Sequence, residues 1–302
     1  MEREGWNEYT ENELIEAAQN LIPIEKDGPY RLVETGWNSR ILIWNEKIAI
    51  KFPRDRRSSE SMVKESDIVW ILKGFPFKVP HYRIMPLDGK IVEIYAFIKG
   101  IPLTSLKDLS SALIHDFYEY FNYTSNFDLR NLQKIDLPVS DRYEWTEKYL
   151  GTLDEFKQTL SKYVDRENVH MIQEKFSVAS KNIMDRDITL IHGDFYRDNI
   201  VLSHDGNRIN GIIDWGESCA GDMAFDLASL SVDYPESVVI RMLPEGIRGE
   251  RISHYRERMR IYRAAEPLYT ISCMLKYGKT DDLGRTLHKF RQNIKLLRDS
   301  GT

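Results

Sequence analysis

The sequence predicts an α+β protein with a small β-rich N-terminal lobe and a larger helical C-terminal lobe. Short apolar runs separated by turn residues fill the first third of the chain and are typical of strands. Helical periodicity dominates residues 110–182 and returns from residue 223 to the end. Lys99-Gly100-Ile101-Pro102 interrupts both patterns. The predicted division is therefore an N-terminal lobe, 1–98, and a C-terminal lobe, 99–302.

The composition indicates a globular protein and excludes several function classes. Of its 302 residues, 42% are hydrophobic and 29% are charged, which is too apolar for a disordered chain. The net charge of −5 argues against a nucleic-acid partner. No apolar run is long enough to suggest a membrane partner, and the first residues lack the apolar core of a secretion signal. With only Cys219 and Cys273, we expect a cytoplasmic location.

Capping and turn residues define the elements at the start of the N-terminal lobe. Thr10-Glu11-Asn12-Glu13 is a capping-box pattern, so a helix is predicted from about Glu11 to Leu21, ended by Pro23. Three strands are predicted next: Tyr30–Glu34, Ile41–Trp44 and Ile48–Phe52.

The rest of this lobe is predicted to hold one more helix and two more strands. Ser58 or Ser59 is the expected cap of a helix that continues to about Lys73. The strands Tyr82–Met85 and Ile91–Phe97 follow, joined by a turn at Asp88-Gly89.

Two phrases in the C-terminal half carry the chemistry. Asp194 and Asn199 flank the loop in Ile191-His192-Gly193-Asp194-Phe195-Tyr196-Arg197-Asp198-Asn199-Ile200, and Asp214 follows the strand-like run Gly211-Ile212-Ile213. A hairpin from Val201 to Ile213 would bring Asn199 beside Asp214. Carboxylate and amide oxygens are ligands that Mg²⁺ accepts together with phosphate and water. Asp194 would then face an acceptor hydroxyl as base or orienting group.

These phrases resemble the Brenner-type motifs of the aminoglycoside phosphotransferase and choline kinase superfamily, which has a two-lobed protein-kinase-like fold. The resemblance extends from about residue 34 to 230 and is strongest after Ile191. It implies that Asp194 is the catalytic aspartate and that Asn199 and Asp214 are metal ligands. It also implies that His192 supports the catalytic loop and that Asp226 braces it.

Lys51 supplies independent support from the N-terminal lobe. It lies within the apolar strand Ile48–Phe52, and a buried ammonium needs a carboxylate partner. In a kinase-like lobe this lysine contacts nucleotide phosphates and pairs with a helix glutamate. Glu65 shares the inward face of the following helix, whereas Glu60 lies in its first turn and more plausibly serves the helix dipole.

The remaining nucleotide contacts are predicted from position. Thr35-Gly36-Trp37-Asn38-Ser39 replaces a full glycine-rich loop, and Gly36 and Ser39 are candidates for phosphate contact. A plain hairpin turn is an equally good interpretation of this segment. By analogy with the family, the linker residues Tyr95, Phe97 and Ile98 meet the nucleobase. They do not discriminate between ATP and GTP.

The acceptor is expected to be a small hydroxylated molecule that can be cationic. Five acids are candidates for its pocket: Asp198, Glu217, Asp233, Glu236 and Glu266. Asp198 is the strongest of them because the loop carries it near Asp194. The others also suit a solvated helix face.

Several functions remain open. Gly193 stands where protein kinases carry arginine, and no Ala-Pro-Glu follows Asp214-Trp215-Gly216, which disfavours a protein kinase. Lys51-Phe52-Pro53-Arg54 and the segment 98–103 resemble antibiotic kinases of the aminoglycoside 2″ and macrolide types, so antibiotic resistance is the first hypothesis. A metabolic kinase for choline, homoserine or a sugar is the second, and a non-catalytic kinase-like binding protein the third. The oligomeric state is not predicted.

Overall fold

The computed structural model describes residues 9–22, 28–34 and 36–299. Pro23 and Thr35, both used in the predictions above, lie outside these residues. The strands are β1 (Tyr30–Val33), β2 (Ser39–Trp44), β3 (Ile48–Pro53), β4 (Arg83–Leu87), β5 (Lys90–Ala96), β6 (Ile101–Pro102), β7 (Ile188–Ile191), β8 (Ile200–Leu202), β9 (Ile209–Ile212) and β10 (Cys219–Asp222). The α-helices are α1 (Glu11–Leu21), α2 (Arg56–Ile71), α3 (Ser111–Ser125), α4 (Arg130–Gln133), α5 (Arg142–Thr159), α6 (Arg166–Ala179), α7 (Ala224–Ser231), α8 (Glu236–Val239), α9 (Glu250–Tyr277) and α10 (Leu283–Asp299).

These elements divide into two packing units. The first unit consists of the chain up to Lys107 together with Arg197–Ser218, and the second consists of Asp108–Tyr196 together with the chain from Cys219 onward. Segment 197–218 joins the first unit because β8 pairs with β6 and because the backbones of Lys78 and Ile212 are hydrogen-bonded at 2.9 Å. The predicted division at residue 98 did not include segment 197–218 in the N-terminal lobe, and it stays a prediction.

A five-stranded antiparallel sheet forms the body of the first unit. Its strand order is β1-β2-β3-β5-β4. In this register Lys51 of β3 lies opposite Glu93 of β5. The predicted helix α1 is confirmed with its capping box at Thr10 and Glu13, and it packs Leu14 and Ala18 into the same core as Leu42 of β2.

The cap of α2 differs from the sequence prediction. Asp55, and not Ser58 or Ser59, is the N-cap residue, and its side chain accepts a hydrogen bond of 2.8 Å from the Ser58 backbone N–H. Aspartate and serine are about equally good caps, but the charge of the Asp55 carboxylate also interacts favourably with the helix dipole. The serines are buried inside the first turn instead, where Ser59 Oγ accepts from the N–H of Ile91 at 2.8 Å.

The second unit is mainly helical and contains one two-stranded antiparallel pair, β7 with β10. In that pair Ile191 lies opposite Cys219 and Ile188 opposite Asp222. The pairing with β10 therefore holds β7 along its whole length. The next residues along the chain are His192-Gly193-Asp194. Among the described residues, no helix has both the length and the apolar character needed to cross a membrane.

Candidate active site

Lys51 lies at the centre of a carboxylate cluster in the first unit. Its Nζ is 2.6 Å from Glu65 Oε2 and 3.0 Å from Asp214 Oδ1. The cluster brings together β3, α2 and the residue after Ile213, which are far apart in the sequence. Burial lowers the pKa of Lys51, but Asp214, Glu65 and Glu93 raise it well above its ordinary value. The side chain is therefore a permanent ammonium, and the predicted pairing of Lys51 with Glu65 is confirmed.

Glu65 also connects α2 to the backbone that follows Asp214. Its Oε1 accepts hydrogen bonds from the Tyr82 hydroxyl and, at 3.1 Å, from the backbone N–H of Trp215. The side chain is only 2% exposed. Burial raises the pKa of Glu65, while Lys51 opposes that shift. The rival Glu60 is exposed and pairs with Arg56 on the same helix at 3.1 Å, so it plays no part in the cluster.

Glu93 is a third carboxyl group that faces Lys51, and the sequence analysis missed it. Its Oε2 is 3.7 Å from Lys51 Nζ, and neither of its oxygens has a hydrogen-bond partner among the described residues. Burial, followed by the charge of Glu65, raises the pKa of Glu93 well above its ordinary value. Burial therefore opposes the charged form of Glu93, and the two shorter contacts of Lys51 are those with Glu65 and Asp214.

The two predicted metal ligands belong to one hairpin of the first unit. Ile200 of β8 pairs with Ile212 of β9, and the Ile213 N–H donates to the Asn199 carbonyl at 3.0 Å. This bond places the Asn199 and Asp214 positions beside each other, as predicted. Asp214 adopts a left-handed backbone conformation with φ 66° and ψ 57°, which non-glycine residues take rarely and often at functional sites.

The donor set at this hairpin fits Mg²⁺. The Asp214 carboxylate is 49% exposed even though one oxygen contacts Lys51, so the carboxylate is open to a further ligand. Asn199 offers an amide oxygen at the neighbouring position. Among the described residues, no group of three or more His, Cys, Asp or Glu side chains could hold a metal. A site with few protein ligands is the kind in which Mg²⁺ takes its remaining oxygens from phosphate and water.

Arg54, the residue that follows β3, holds the segment that was predicted to cover phosphate. Arg54 Nη2 donates to the Glu34 carbonyl at 2.9 Å, and its Nε donates to the Gly36 carbonyl at 3.3 Å. The Arg54 backbone N–H donates to Asn38 at 2.9 Å. Ser39 is buried at the start of β2. Arg54 therefore constrains the Gly36 side of this loop, while the predicted phosphate contacts of Gly36 and Ser39 stay predictions.

The predicted linker continues β5 beyond the sheet. Tyr95 is buried opposite Ala49 of β3, and burial raises its pKa. The Phe97 N–H donates to the Lys47 carbonyl at 2.8 Å, and Ile98 is buried. The backbone of Ala96 to Ile98 thus leaves the sheet from a fixed position, as a nucleobase contact requires.

In the second unit, Asp226 braces the loop that carries Asp194. Its Oδ2 accepts from the His192 N–H at 2.8 Å and from the Tyr120 hydroxyl at 2.7 Å, and its Oδ1 accepts from the Gly193 N–H at 3.0 Å. Burial raises the pKa of Asp226 to about 6, and these three hydrogen bonds oppose the shift.

His192 completes this brace at the next residue. Its side chain is fully buried, and its Nδ1 accepts from the Asp194 backbone N–H at 3.3 Å. Gly193 has a φ of 78°, a left-handed backbone conformation that favours glycine. Asp194 itself stays partly exposed at the end of this rigid turn.

A buried ionic network lies behind the β7–β10 pair. Arg258 of α9 is fully buried and donates to Asp222 at 2.7 Å through Nε. The same guanidinium lies 3.4 Å from Asp187, which also accepts from Arg251 at 2.7 Å and from the Tyr255 hydroxyl at 3.0 Å. Asp187 precedes β7 and Asp222 ends β10, so α9 clamps the same end of both strands.

The five predicted acceptor acids divide between the units. Asp198 and Glu217 are exposed in the first unit, and Asp233 is exposed in the second. Glu236 is paired with Arg260 at 2.7 Å, and Glu266 is paired with Lys289 at 2.8 Å. The ion pairs of Glu236 and Glu266 reduce the charge that these two acids can offer a cationic acceptor.

The residues that the sequence did not predict have one property in common: each contacts the site through a partner that is distant in the sequence. Tyr120 and Asp226 are 106 residues apart, and Trp215 and Glu65 are 150 apart. Glu93 had a weak sequence signal, because it occupies a core-facing position of an alternating strand where a charge is unexpected. Tyr82, Arg54 and Arg258 had none.

Comparison with protein families gives one match that spans most of the chain. A family model described as the phosphotransferase enzyme family matches residues 30–262. A search of curated protein sequences finds no match.

Solved structures with the same fold are numerous. The GDP complex of wild-type aminoglycoside 2'-phosphotransferase-IIIa matches with a TM-score of 0.76 at 16% identity, covering 94% of this chain and 99% of that chain. The apoenzyme of macrolide 2'-phosphotransferase MphH from Brachybacterium faecium has a TM-score of 0.68 at 17% identity, covering 92% and 97%. The streptomycin-ATP-APH(2")-IIa ternary complex has a TM-score of 0.62 at 19% identity, covering 94% and 99%. At these identities the likeness shows the fold, and it confirms the predicted two-lobed, protein-kinase-like α+β class.

Proposed function

The chain belongs to the phosphotransferase enzyme family and is a transferase with an alcohol group as acceptor; from this premise we propose that it moves the γ-phosphate of ATP or GTP to a hydroxyl of a small molecule with the help of Mg²⁺. The observation that carries the proposal is the ion-pair cluster of Lys51 with Glu65 at 2.6 Å and Asp214 at 3.0 Å. A charged lysine held by a helix glutamate beside a partly open aspartate is the arrangement that phosphate and metal binding need.

Each residue has a defined task in this proposal. Lys51 binds nucleotide phosphate oxygens, and Glu65 fixes the direction of its ammonium group. Gly36, Ser39 and the backbone at Tyr95, Phe97 and Ile98 position the rest of the nucleotide. These roles rest on positions in the fold and on the hydrogen bonds that hold those positions.

Asp214 and Asn199 would hold Mg²⁺, which neutralises developing charge on the phosphates when bound. When Asp214 turns toward the metal, Lys51 would lose its contact with Asp214 but keep its contact with Glu65. Glu93 stands behind Lys51 as an additional carboxyl group that can compensate for the lost contact.

Asp194 is proposed as the residue that accepts the acceptor's hydroxyl proton or orients that hydroxyl. Its partly exposed side chain follows a turn whose backbone N–H groups are held by Asp226 and His192. Rigid placement of such a group supplies much of its effect, because misplacement by about 1 Å costs on the order of 10²-fold in rate.

An aminoglycoside-like antibiotic is the first candidate acceptor. Proteins with this fold include the streptomycin-ATP complex described above, which supports a small hydroxylated cationic acceptor. Asp198, Glu217 and Asp233 are exposed acids that could meet amino groups. A metabolic kinase acting on choline, homoserine or a sugar is the second candidate. A cytoplasmic location, expected from the sequence, would give access to the nucleotide.

A non-catalytic binding role is disfavoured by the residues present. A protein that only binds nucleotide has no need of Asp194 on a braced loop. Nucleotide binding that depends on Mg²⁺ but produces no transfer with any acceptor would favour this role instead.

The test is a screen of nucleotide consumption with ATP and GTP run in parallel. Aminoglycosides, macrolides, choline, homoserine and sugars are offered separately, and the phosphorylated product is identified by mass spectrometry. We expect acceptor-dependent turnover with one class and loss of turnover in Lys51→Met. Robust transfer to serine or threonine peptides, with no transfer to small molecules, would contradict the proposal.

A further inference from the structure

A small cavity in the second unit lies among α8, α9 and α10. Its volume is about 290 Å³, and its wall includes Arg260 and Arg263 of α9, Asn293, Leu296 and Leu297 of α10, and Glu236 of α8. A cavity of this size suits a molecule smaller than most drugs. None of the nucleotide, metal or base residues proposed above lines it.

The one carboxylate in this wall is already neutralised. Arg260 donates to Glu236 through both Nε and Nη2, at 2.7 Å and 2.9 Å. Arg256 Nε lies 3.3 Å from the same carboxylate. A two-point guanidinium–carboxylate pair uses both oxygens in a fixed geometry. Glu236 is therefore a poor anchor for an ammonium group, although the sequence suggested it as an acid for a cationic acceptor.

Arg263 is the arginine of the cavity wall that makes no ion pair with the described residues. Its side chain makes one hydrogen bond, from Nη1 to the Ser231 carbonyl at 3.2 Å. No carboxylate of the described residues lies within ion-pair distance of it. Burial is the largest influence on the pKa of Arg263 and lowers it; Glu236 opposes this shift and Arg260 adds to it. Glu236, however, is already paired with Arg260. The wall thus holds two guanidinium groups and one carboxylate, which leaves a surplus of one positive charge.

The opposite wall is apolar. Leu296 is 56% exposed, whereas Leu297 in the next position is buried. Asn293 Nδ2 donates to the Arg263 carbonyl at 3.0 Å, which joins α10 to α9 and holds the leucine side of the cavity against the arginine side. A ligand that fills this space would meet cationic donors at one end and methyl groups at the other.

From these observations we propose that the cavity is a binding site for a small organic anion, a carboxylate or phosphate monoester that carries a short apolar group. The anion pairs with Arg263, whose planar fork of donors matches either oxyanion. The apolar group contacts Leu296 and Leu297. The site is independent of phosphate transfer and would exist whether or not the function proposed above is correct.

Calorimetry and NMR titration of the full chain with three probes test this proposal. The probes are phenyl phosphate, benzoate and benzylamine, which share a ring but differ in charge. We expect one or both anions to bind and benzylamine not to bind, and the two anion arms decide between phosphate and carboxylate. The proposal is overturned if neither phenyl phosphate nor benzoate binds, or if benzylamine binds more tightly than both.

Variants locate the binding. Arg263→Gln should weaken anion binding at least about tenfold, because a charge-assisted pair is lost. Arg166→Gln, which changes an exposed arginine at the start of α6, is the matched control and should bind as the wild type does. Leu296→Glu places a negative charge on the exposed wall and should weaken binding similarly, so the test survives even if Arg263→Gln fails to fold.

Nucleotide competition separates this site from the phosphate-transfer site. Saturating ATP or GTP with Mg²⁺ should leave anion affinity unchanged. Displacement of the anion by nucleotide, or unchanged affinity in both Arg263→Gln and Leu296→Glu, would place the anion elsewhere and refute the proposal.

Discussion

Glu65 in the first unit and Asp226 in the second unit are both buried carboxylates, but they are stabilised in opposite ways. Glu65 contacts a cation, Lys51, and two neutral donors. Asp226 accepts three neutral hydrogen bonds and, among the described residues, has no ion-pair partner. The first carboxylate belongs to a cluster that can exchange partners, and the second belongs to a closed brace.

This difference matches what each region must do. In the proposed function, the Lys51 cluster would accept a charged nucleotide and a metal, and it holds an excess of carboxyl groups around one ammonium. The Asp226 brace has to hold a backbone turn in one shape, and neutral N–H and O–H donors fix direction without attracting other ions. Rearrangement is therefore expected in the first region and rigidity in the second.

The largest effect is expected from Asp194→Ala, which removes the functional group carried by the rigid loop. A positioned base contributes roughly 10²–10⁴-fold to the rate, so kcat should fall by about that factor. Nucleotide affinity should stay within about threefold of wild type, since binding belongs to the other region. Steady-state kinetics and calorimetry measure the two quantities.

Asp185→Ala is a suitable control for that experiment, because Asp185 is an aspartate of the same unit with a side chain that is 82% exposed. It should leave the rate unchanged. Transfer by Asp194→Ala within about tenfold of wild type would show that Asp194 is not the base.

The next effect tests partner exchange in the Lys51 cluster. Asp214→Ala should abolish the dependence of nucleotide affinity on Mg²⁺, because it removes the proposed metal carboxylate. Lys51 should remain paired with Glu65, so some metal-independent binding is expected to persist. Calorimetric titration of nucleotide with and without Mg²⁺ measures this, and an unchanged metal dependence would exclude Asp214 as a ligand.

The charge state of the brace gives a pH-dependent prediction. The pKa of Asp226 is about 6 when folded, against an ordinary value of 3.8, so between these values the folded state holds a proton that the unfolded state has lost. Stability from this group therefore falls as pH rises from about 4 to about 7, by roughly 3 kcal/mol. Asp226→Asn removes that slope.

Urea unfolding at several pH values measures this effect. The free energy of unfolding of the wild type minus that of Asp226→Asn should decrease by about 3 kcal/mol over this range. If this difference in unfolding free energy stays constant or grows with pH, burial does not raise the pKa of Asp226.

The smallest effects come from matched tyrosine substitutions in the two regions. Tyr120→Phe removes one of three donors to a carboxylate without a cation partner and should cost about 1.5–3 kcal/mol of unfolding free energy. Tyr82→Phe removes a donor from Glu65, which keeps Lys51, and should cost only about 0.5–1.5 kcal/mol. Denaturant unfolding of both variants compares them directly. Equal costs would remove the distinction between an exchanging cluster and a closed brace.

Local elements were predictable to the extent that short-range forces form them. The capping box of Thr10 and Glu13 defined α1, and the turn at Asp88-Gly89 defined the β4–β5 hairpin, where both residues have positive φ. The cap of α2 was wrong because a serine pair and an aspartate compete within four residues, and only the packing of the helix decides which one lies outside it.

The site was predictable wherever a residue's role follows from its neighbours in the chain. Lys51 in an apolar strand and Glu65 on the inward face of a helix indicated their ion pair. The contact of Glu93 with Lys51 was not predictable, because it depends on the pairing of β3 with β5, two strands that are not consecutive in the chain.

By itself the sequence determined the class of fold, the order of its elements and which residues within short phrases are candidates for the site. Helix periodicity, turn chemistry and motif spacing are all local properties of the chain. The tertiary structure alone decided the partners of those residues. It brought Asp214 into contact with Lys51, directed three hydrogen-bond donors at Asp226 and paired Glu236 with arginines. These hydrogen bonds and ion pairs depend on distances between segments that are far apart in the sequence.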